Sequence, residues 1–110
     1  MTKPLKVARW VVMEDLQGIY DYHRTFSQAK AERIVEEYDR VIALIEINPL
    51  LFRERAEQWR VYPFASGTYL LYYKELAHYW LVVGIFHARR NPSWIRLQLK
   101  KREPDGKDEL

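Results

Sequence analysis

Residues 59–92 read WRVYPFASGTYLLYYKELAHYWLVVGIFHARRNP, and this stretch decides the fold. It contains three runs rich in β-branched and aromatic residues: WRVYPF, TYLLYYK and HYWLVVGIFH. Such runs between turn-forming residues are typical of β-strands, and the breaks at Ala65-Ser66-Gly67 and Glu75-Leu76-Ala77 predict two turns. The last strand leads into a polar group that a proline ends: His87, Arg89, Arg90, Asn91 and Pro92. The side chains best suited to chemistry therefore lie in this sheet or just after it.

The residues before this sheet predict one further strand and two helices. Leu5 to Val11 is expected to form the first strand, and from Glu14 the apolar residues fall at helical spacing. The second helix has one apolar stripe, formed by Ala31, Ile34, Tyr38, Val41 and Ile45 and widened by Val35 and Ile42. Thr25 or Ser27 is available to cap that helix, and Asn48-Pro49 ends it.

The predicted order of elements is β-α-α-β-β-β, with a possible short helix from Ser93 to Arg102. Because the two helices are joined by a short turn, they are expected to form a hairpin. The predicted fold class is α+β, with an antiparallel sheet and the helical hairpin packed on one of its faces. Residues 1–102 are expected to form a single domain, and residues 103–110 an acidic, flexible tail.

Composition excludes several classes of protein. The chain has 110 residues, 48% of them hydrophobic and 30% charged, which is typical of one globular domain and not of a disordered chain. Cysteine is absent, so the sequence offers no disulfide and no thiolate metal site. There is no glycine-rich phosphate loop and no pair of ligands at metal spacing, so no cofactor or metal is expected. The sequence has no apolar run of membrane-spanning length and no signal peptide, which favours the cytoplasm.

Charge is distributed unevenly along the chain. Residues 1–58 carry a net charge of −1, whereas residues 59–102 have eight lysines and arginines against Glu75 alone, a net charge of +7. Residues 103–110 carry a net charge of −3. A basic block of this size attracts phosphate backbones or an acidic protein partner, although a solvated basic surface would show the same pattern.

Five short motifs follow one another along the chain. They are Asp15-Leu16 with Ile19 and Tyr22, Asn48-Pro49 at the end of the second helix, Trp59 to Pro63 (WRVYP), Gly67 to Tyr73 (GTYLLYY) and Ile85 to Pro92 (IFHARRNP). Their order and spacing resemble the RelE/ParE superfamily of toxins from bacterial toxin–antitoxin modules. The resemblance covers about residues 5–95. It implies the α+β fold given above, neutralisation by a cognate antitoxin encoded beside the toxin, and a role of the plasmid-stabilisation kind.

The branch of the superfamily determines the target. RelE-like members cut mRNA in the ribosomal A site, whereas ParE-like members inhibit DNA gyrase, and hence DNA replication, without ribonuclease chemistry. An RNA-cleaving site needs a base, an acid and cations that stabilise the charged phosphorane. If the chain is RelE-like, the residues available for these roles are Arg60, His87 and Arg90, with His87 as the acid–base candidate because imidazole is a common general acid and base.

The rest of the RelE-like pattern is missing. RelE-like toxins commonly have a tyrosine or a further basic residue near the C-terminus and lysine pairs on the strand before the last, whereas here no tyrosine follows Tyr79 and that strand has only Lys74. A histidine at the end of the last strand followed by arginines is common among ParE-like sequences, as is the Arg-x-Tyr-Pro start of the second strand. The resemblance therefore favours a ParE-like toxin, for which no catalytic residue is expected. A non-toxic relic that still binds an antitoxin is a third hypothesis.

Contacts with the target or partner are expected at eight residues: Arg60, Tyr62, His87, Arg89, Arg90, Arg96, Lys100 and Lys101. The expected partners are the antitoxin and DNA gyrase, or the ribosome and mRNA in the RelE-like alternative, with no membrane and no small-molecule substrate. Purely structural roles remain open for several side chains. His87 would then anchor the strand end, and Arg60 would lie over aromatic rings. His23 is expected to be a partly buried packing residue, and His78 an exposed residue in a turn.

Overall fold

The computed structural model describes residues 3–55 and 57–103. Its elements follow the predicted order: β1 (Leu5–Val7), a π-helical segment (Val11–Leu16) that continues into α1 (Gln17–Arg24), α2 (Gln28–Ile47), β2 (Arg60–Phe64), β3 (Tyr69–Glu75), β4 (Trp80–His87) and α3 (Pro92–Arg102). The α+β class, the helical hairpin and the short C-terminal helix are confirmed. Of the predicted acidic tail, residues 104–110 lie outside the described residues.

The four strands form one sheet in the order β1-β4-β3-β2. β2, β3 and β4 are antiparallel neighbours, as their two short turns require. One pairing differs from the antiparallel sheet expected from the sequence: β1 runs parallel to β4, with Leu5 opposite Trp80 and Val7 opposite Val82. In the chain, the helical hairpin connects β1 to β2 as a crossover, so β2 runs in the same direction as β1. Because β2 and β4 are both antiparallel to β3, β4 also runs in that direction.

The first strand is shorter than predicted. Strand pairing ends at Val7, and Val11, which was expected to end the strand, starts the π-helical segment. The run from Leu5 to Val11 suggested a strand, but Val11 is fully buried while Val12 is exposed on the helix surface. Burial of Val11, Leu16 and Ile19 against the sheet therefore outweighs the local β preference of valine.

The predicted apolar stripe of α2 is confirmed at every position. Ala31, Ile34, Tyr38, Val41 and Ile45 are all buried. The helix ends at Ile47, immediately before Asn48-Pro49, and its N-terminal cap is Ser27, whose Oγ accepts a hydrogen bond from the backbone N–H of Lys30 at 3.1 Å. Of the two capping residues that the sequence offered, the structure uses Ser27.

Replacement of Ser27 with alanine is expected to lower the free energy of unfolding by about 1 kcal/mol. The change removes the acceptor that satisfies one free N–H group at the start of α2. Urea unfolding followed by circular dichroism measures this loss. Thr25→Ala is the control and is expected to have a smaller effect, because Thr25 Oγ1 donates to the carbonyl of Tyr22 and caps no N–H of α2.

Helices cover both faces of the sheet. On one face the hairpin and the turn that follows α2 contact β2 and β3: the hydroxyl of Tyr62 donates to Glu37 Oε2 at 2.7 Å, and the hydroxyl of Tyr73 donates to the carbonyl of Pro49 at 2.6 Å. On the other face α3 packs on β4, and the rings of Trp94 and Phe86 meet edge to face at 5.8 Å. β4 is buried along nearly its whole length because it lies in the middle of the sheet under both layers.

Candidate functional site

Arg60 and Tyr62, the two candidate contact residues on β2, are held by partners inside the fold. Arg60 Nη1 donates to the carbonyl of Phe52 at 2.9 Å, and its guanidinium lies 5.9 Å from the ring of Trp80. Tyr62 is half-buried and donates to Glu37. Burial, and then this hydrogen bond, raise the pKa of Tyr62 to about 12. These contacts match the structural interpretation of Arg60 as a cation lying over an aromatic ring.

The three residues of the RelE-like alternative are not brought together. In the register of the sheet, Arg60 pairs with Tyr73, whereas His87 pairs with Tyr69, four residues earlier on β3. Four residues of strand correspond to about 13 Å. A general acid or base and its phosphate-binding cation must both reach the reacting atoms, so Arg60 cannot share a site with His87 in this arrangement.

His87 and Arg90 do lie together, at the end of β4. The Nδ1 atom of His87 accepts a hydrogen bond from the backbone N–H of Arg89 at 3.1 Å, and the N–H of Arg90 donates to the carbonyl of His87 at 3.0 Å. The guanidinium of Arg90 lies over the ring of Trp94 at 4.3 Å. The strand stops at His87, so Arg89 and Arg90 belong to a turn in which both side chains are exposed.

A cavity of about 290 Å³ opens beside His87 and Arg90, between α1, the end of β4 and the start of α3. Tyr22 and Tyr69 also line it. The ring of Tyr69 contacts His87 edge to face at 5.4 Å, and on its other side it contacts His23 at 5.9 Å. The end of the sheet therefore presents aromatic and imidazole rings beside an exposed arginine.

His23 forms a contact that the sequence did not predict. Its Nε2 atom lies 2.9 Å from the hydroxyl of Tyr69, in a hydrogen bond between residues 46 positions apart. His23 is partly buried, as expected, and the structure adds a specific polar partner. Burial lowers the pKa of His23 from its ordinary value of 6.5, and the positive charge of Lys30 lowers it further.

The lowered pKa of His23 makes the stability of the fold depend on pH. Below pH 6.5 the unfolded chain binds a proton at His23 more readily than the folded chain does, because the pKa is lower in the folded chain. The free energy of unfolding therefore falls as the pH drops from 6.5 through the folded pKa. Urea unfolding midpoints at pH 7.5 and pH 5.5 measure the effect. The His23→Gln variant is expected to show a smaller difference between the two pH values, and an equal difference would contradict the assignment.

The basic C-terminal block is displayed on α3. The side chain of Asn91 caps the helix by accepting from the N–H of Ser93 at 2.8 Å, and Pro92 occupies its first turn. Arg96, Lys100 and Lys101 are exposed along the helix. A groove of about 290 Å³ between α3 and the sheet has Tyr72, Trp59, Ile95 and Leu99 among its apolar lining and Arg55, Arg90 and Arg96 among its polar lining.

β1 pairs with β4 only from Trp80 to Val82, and beyond that point side chains bind the backbone groups of β4. Asp15 accepts from the N–H of Ile85 at 3.0 Å, and Trp10 Nε1 donates to the carbonyl of Val83 at 2.6 Å. Arg102, at the end of α3, binds both carboxylate oxygens of Asp15 at 2.7 and 3.1 Å. No local sequence pattern predicts this pair, because its members are 87 positions apart and on different elements.

The described residues contain no group of three or more histidine and acidic side chains that could hold a metal ion. Across residues 3–55 and 57–103, no helix is both long enough and apolar enough to cross a membrane.

Comparison with solved structures identifies the class of fold. The chain is similar to a chain described as the chromosomal ParDE TA system from P. aeruginosa, with a TM-score of 0.67 and 16% sequence identity over 80% of this chain and 98% of that chain. The fold is therefore of the RelE/ParE-like type. In sequence, residues 10–92 match the family described as the ParE toxin of the type II toxin–antitoxin system, parDE. The chain belongs to this family of type II toxins. None of the curated proteins compared with it matches in sequence.

Proposed function

We propose that this toxin inhibits DNA gyrase in the cytoplasm and thereby blocks DNA replication, and that a cognate antitoxin neutralises it by binding. The observation that carries the proposal is membership of the ParE family over residues 10–92. The separation of Arg60 from His87 by about 13 Å along the sheet adds support, because it removes a cation from the RelE-like catalytic set. In this mechanism the toxin stabilises a cleaved DNA–gyrase state by binding to it and transfers no group itself.

The proposed gyrase contact is the exposed surface formed by the end of β4 and by α3. Six of the eight predicted contact residues lie there and are exposed: His87, Arg89, Arg90, Arg96, Lys100 and Lys101. Their cationic side chains suit an acidic protein surface or the DNA held by gyrase. Arg60 and Tyr62 are excluded from the proposed contact, since each is bound to its own fold.

The antitoxin is proposed to cover the helical hairpin as well as this basic surface. Tyr22 and Phe26 pack edge to face at the hairpin turn yet remain 61% and 77% exposed. Large exposed apolar side chains of this kind mark protein contact sites when they are clustered. A segment that folds on the toxin, with apolar residues for the hairpin and acidic residues for α3, would match both surfaces.

Expression from a tightly controlled promoter tests the target. DNA synthesis and protein synthesis are followed separately by uptake of labelled precursors. A gyrase inhibitor is expected to stop DNA synthesis first and induce the DNA-damage response while translation continues. If translation stops first and transcripts acquire new ends inside codons, the target is the ribosome and the proposal fails. If growth is unaffected, the chain is a non-toxic relic.

Purified components test the proposed contact. In a gyrase supercoiling assay, Arg89→Ala and Arg90→Ala are each expected to weaken inhibition about tenfold or more, because each removes a charged contact. Arg53→Ala is the matched control, since Arg53 is exposed and lies beside the start of β2, where its carbonyl accepts from the N–H of Val61, at the end of the sheet opposite Arg89 and Arg90. It should inhibit like the parent. Equal loss in all three variants would show that general charge, and not this surface, drives inhibition.

A further inference from the structure

A polar cleft lies between α2 and the β2–β3 turn, and none of the residues lining it belongs to the proposed gyrase contact. Its volume is about 390 Å³. Lys30, Arg33 and Arg40 line it from α2, and Ser66 and Thr68 line it from the turn. The turn is fixed in an unusual backbone conformation, because Ala65, Ser66 and Gly67 all have positive φ angles, at 52°, 57° and 90°. Its hydroxyl-bearing residues are thus held opposite the cations of the helix.

The three cations of the cleft form one stripe on α2. Spacings of three and seven residues place Lys30, Arg33 and Arg40 on the same side of the helix, over about 15 Å of its length. All three residues are exposed, and among the residues that the structure describes none of them forms an ion pair. Their charges are therefore available to a ligand.

Glu37, the acid that lines the same cleft, is occupied elsewhere. Its Oε2 atom accepts from the hydroxyl of Tyr62 at 2.7 Å, and its Oε1 atom accepts from the N–H of Ala65 at 3.0 Å. The carboxylate thus fastens β2 and the turn to α2 and lies beyond ion-pair distance of the cations beside it. Counting Glu37, the side chains of the cleft still carry a net charge of +2 while His23 is neutral.

We propose that this cleft binds a phosphate group. Guanidinium groups are the preferred protein partners of phosphate oxygens, and the hydroxyls of Ser66 and Thr68 supply neutral donors on the opposite wall. The phosphate comes either from a small phosphorylated molecule or from a nucleic-acid strand that follows the stripe of cations. The cleft adjoins the end of β4, since the carbonyl of Thr68 accepts from the N–H of Ala88 at 2.8 Å and Tyr69 contacts His87. It shares no lining residue with the proposed gyrase contact, so the phosphate proposal does not depend on the gyrase proposal.

The pKa of the His23 ring can be used to detect binding in the cleft. Its imidazole lines the cleft, with Lys30 on α2, Tyr22 on α1 and Tyr69 on β3 as the titratable groups around it. A phosphate dianion placed beside it would favour the protonated ring and raise its pKa. Binding in the cleft and binding elsewhere on this basic protein therefore have different effects on His23.

The test titrates pyrophosphate into the purified, isotope-labelled chain and follows backbone amides and the His23 ring by NMR. Shifts are expected at Ser66 and Thr68, together with a rise in the pKa of His23. Arg33→Gln is expected to weaken binding about tenfold or more, because it removes a charge-assisted contact. Lys101→Gln is the matched control, which loses one positive charge on α3, and its affinity should change less than twofold.

Three outcomes overturn the proposal: no binding of pyrophosphate, equal weakening by Arg33→Gln and Lys101→Gln, or tighter binding of a short glutamate-rich peptide than of either phosphate probe. A single-stranded oligothymidylate of eight nucleotides separates the two sources of phosphate. If it binds more tightly than pyrophosphate and loses affinity in Arg33→Gln, the ligand is a nucleic-acid strand. If pyrophosphate binds more tightly, it is a small phosphorylated molecule.

Discussion

The variant Arg102→Ala is expected to lose about 3 kcal/mol of unfolding free energy, the lower end of the range for breaking a buried ion pair, because this pair is only partly buried. Arg102 and Asp15 are 20% and 10% exposed, and they form a bidentate ion pair that also reaches the backbone of β4. Removing the arginine leaves the carboxylate of Asp15 in a largely dry position with no cation beside it. The guanidinium also packs over Phe86 at 5.0 Å, so its loss removes a face-on contact as well.

Chemical unfolding of the parent and of Arg102→Ala measures this effect. Lys100→Ala is the control on the same helix, and because Lys100 is exposed and forms no ion pair with a described residue, its loss should stay within about 0.5 kcal/mol. In the double variant Asp15→Asn/Arg102→Ala the unpaired, partly buried charge of Asp15 is gone, so part of the stability should return. A loss of less than about 1 kcal/mol in Arg102→Ala would mean that the pair contributes no more than a surface ion pair.

This pair explains why the sequence predicted α3 but not its position. Asn91, Pro92 and the three basic residues of the last turn are local signals, and they mark the limits of the helix correctly. What holds α3 on the sheet is the contact of Arg102 with Asp15 and with the carbonyl of Val83. Those partners become neighbours only after the sheet has formed, so no local pattern records them.

Strand β1 and α2 show the same contrast between local and tertiary signals. The stripe of α2 is a repeated helical pattern over twenty residues, and the structure confirms it residue by residue. At Val11 the local preference favoured a strand, yet burial against β4 makes the segment helical. Long periodic patterns therefore gave the correct element, whereas a short ambiguous run was resolved by tertiary packing.

The candidate site also contains residues that the sequence predicted and residues that it did not. The sequence identified His87 and Arg90 from their place after a strand, and the structure brings both to one cavity. Arg60 is the first residue of β2 and His87 the last residue of β4. Because β2 and β4 are both antiparallel to β3, they run in the same direction, so Arg60 lies at the opposite end of the sheet from His87. Which strand ends lie side by side depends on the order and direction of the strands in the sheet. The short motif around Arg60 carries no information about either. His23 and Glu37 were missed as site residues because their importance depends on partners in β3 and β2.

The second large effect is expected from Gly84→Ala, which should lower the unfolding free energy by about 1–3 kcal/mol. A Cβ atom at this position would lie 2.7 Å from Cε2 of Phe86 and 2.8 Å from Nη1 of Arg102. Gly84 therefore leaves the space that the Arg102 guanidinium needs to reach Asp15. The backbone φ of Gly84 is not positive, so the expected loss comes from crowding and not from backbone strain.

A double-mutant cycle tests whether Gly84→Ala destabilises the fold by crowding Arg102 or by an effect on β4 that does not involve Arg102. If the methyl group acts by displacing the Arg102 guanidinium, Gly84→Ala should cost at least 0.5 kcal/mol less in the Arg102→Ala background than in the parent. The remaining cost would come from the ring of Phe86, which is freer to move once Arg102 is absent. Equal costs in both backgrounds would show that the two residues act independently. Coupling would instead mean that the glycine of the central strand and the last residue of α3 keep the basic helix in place together.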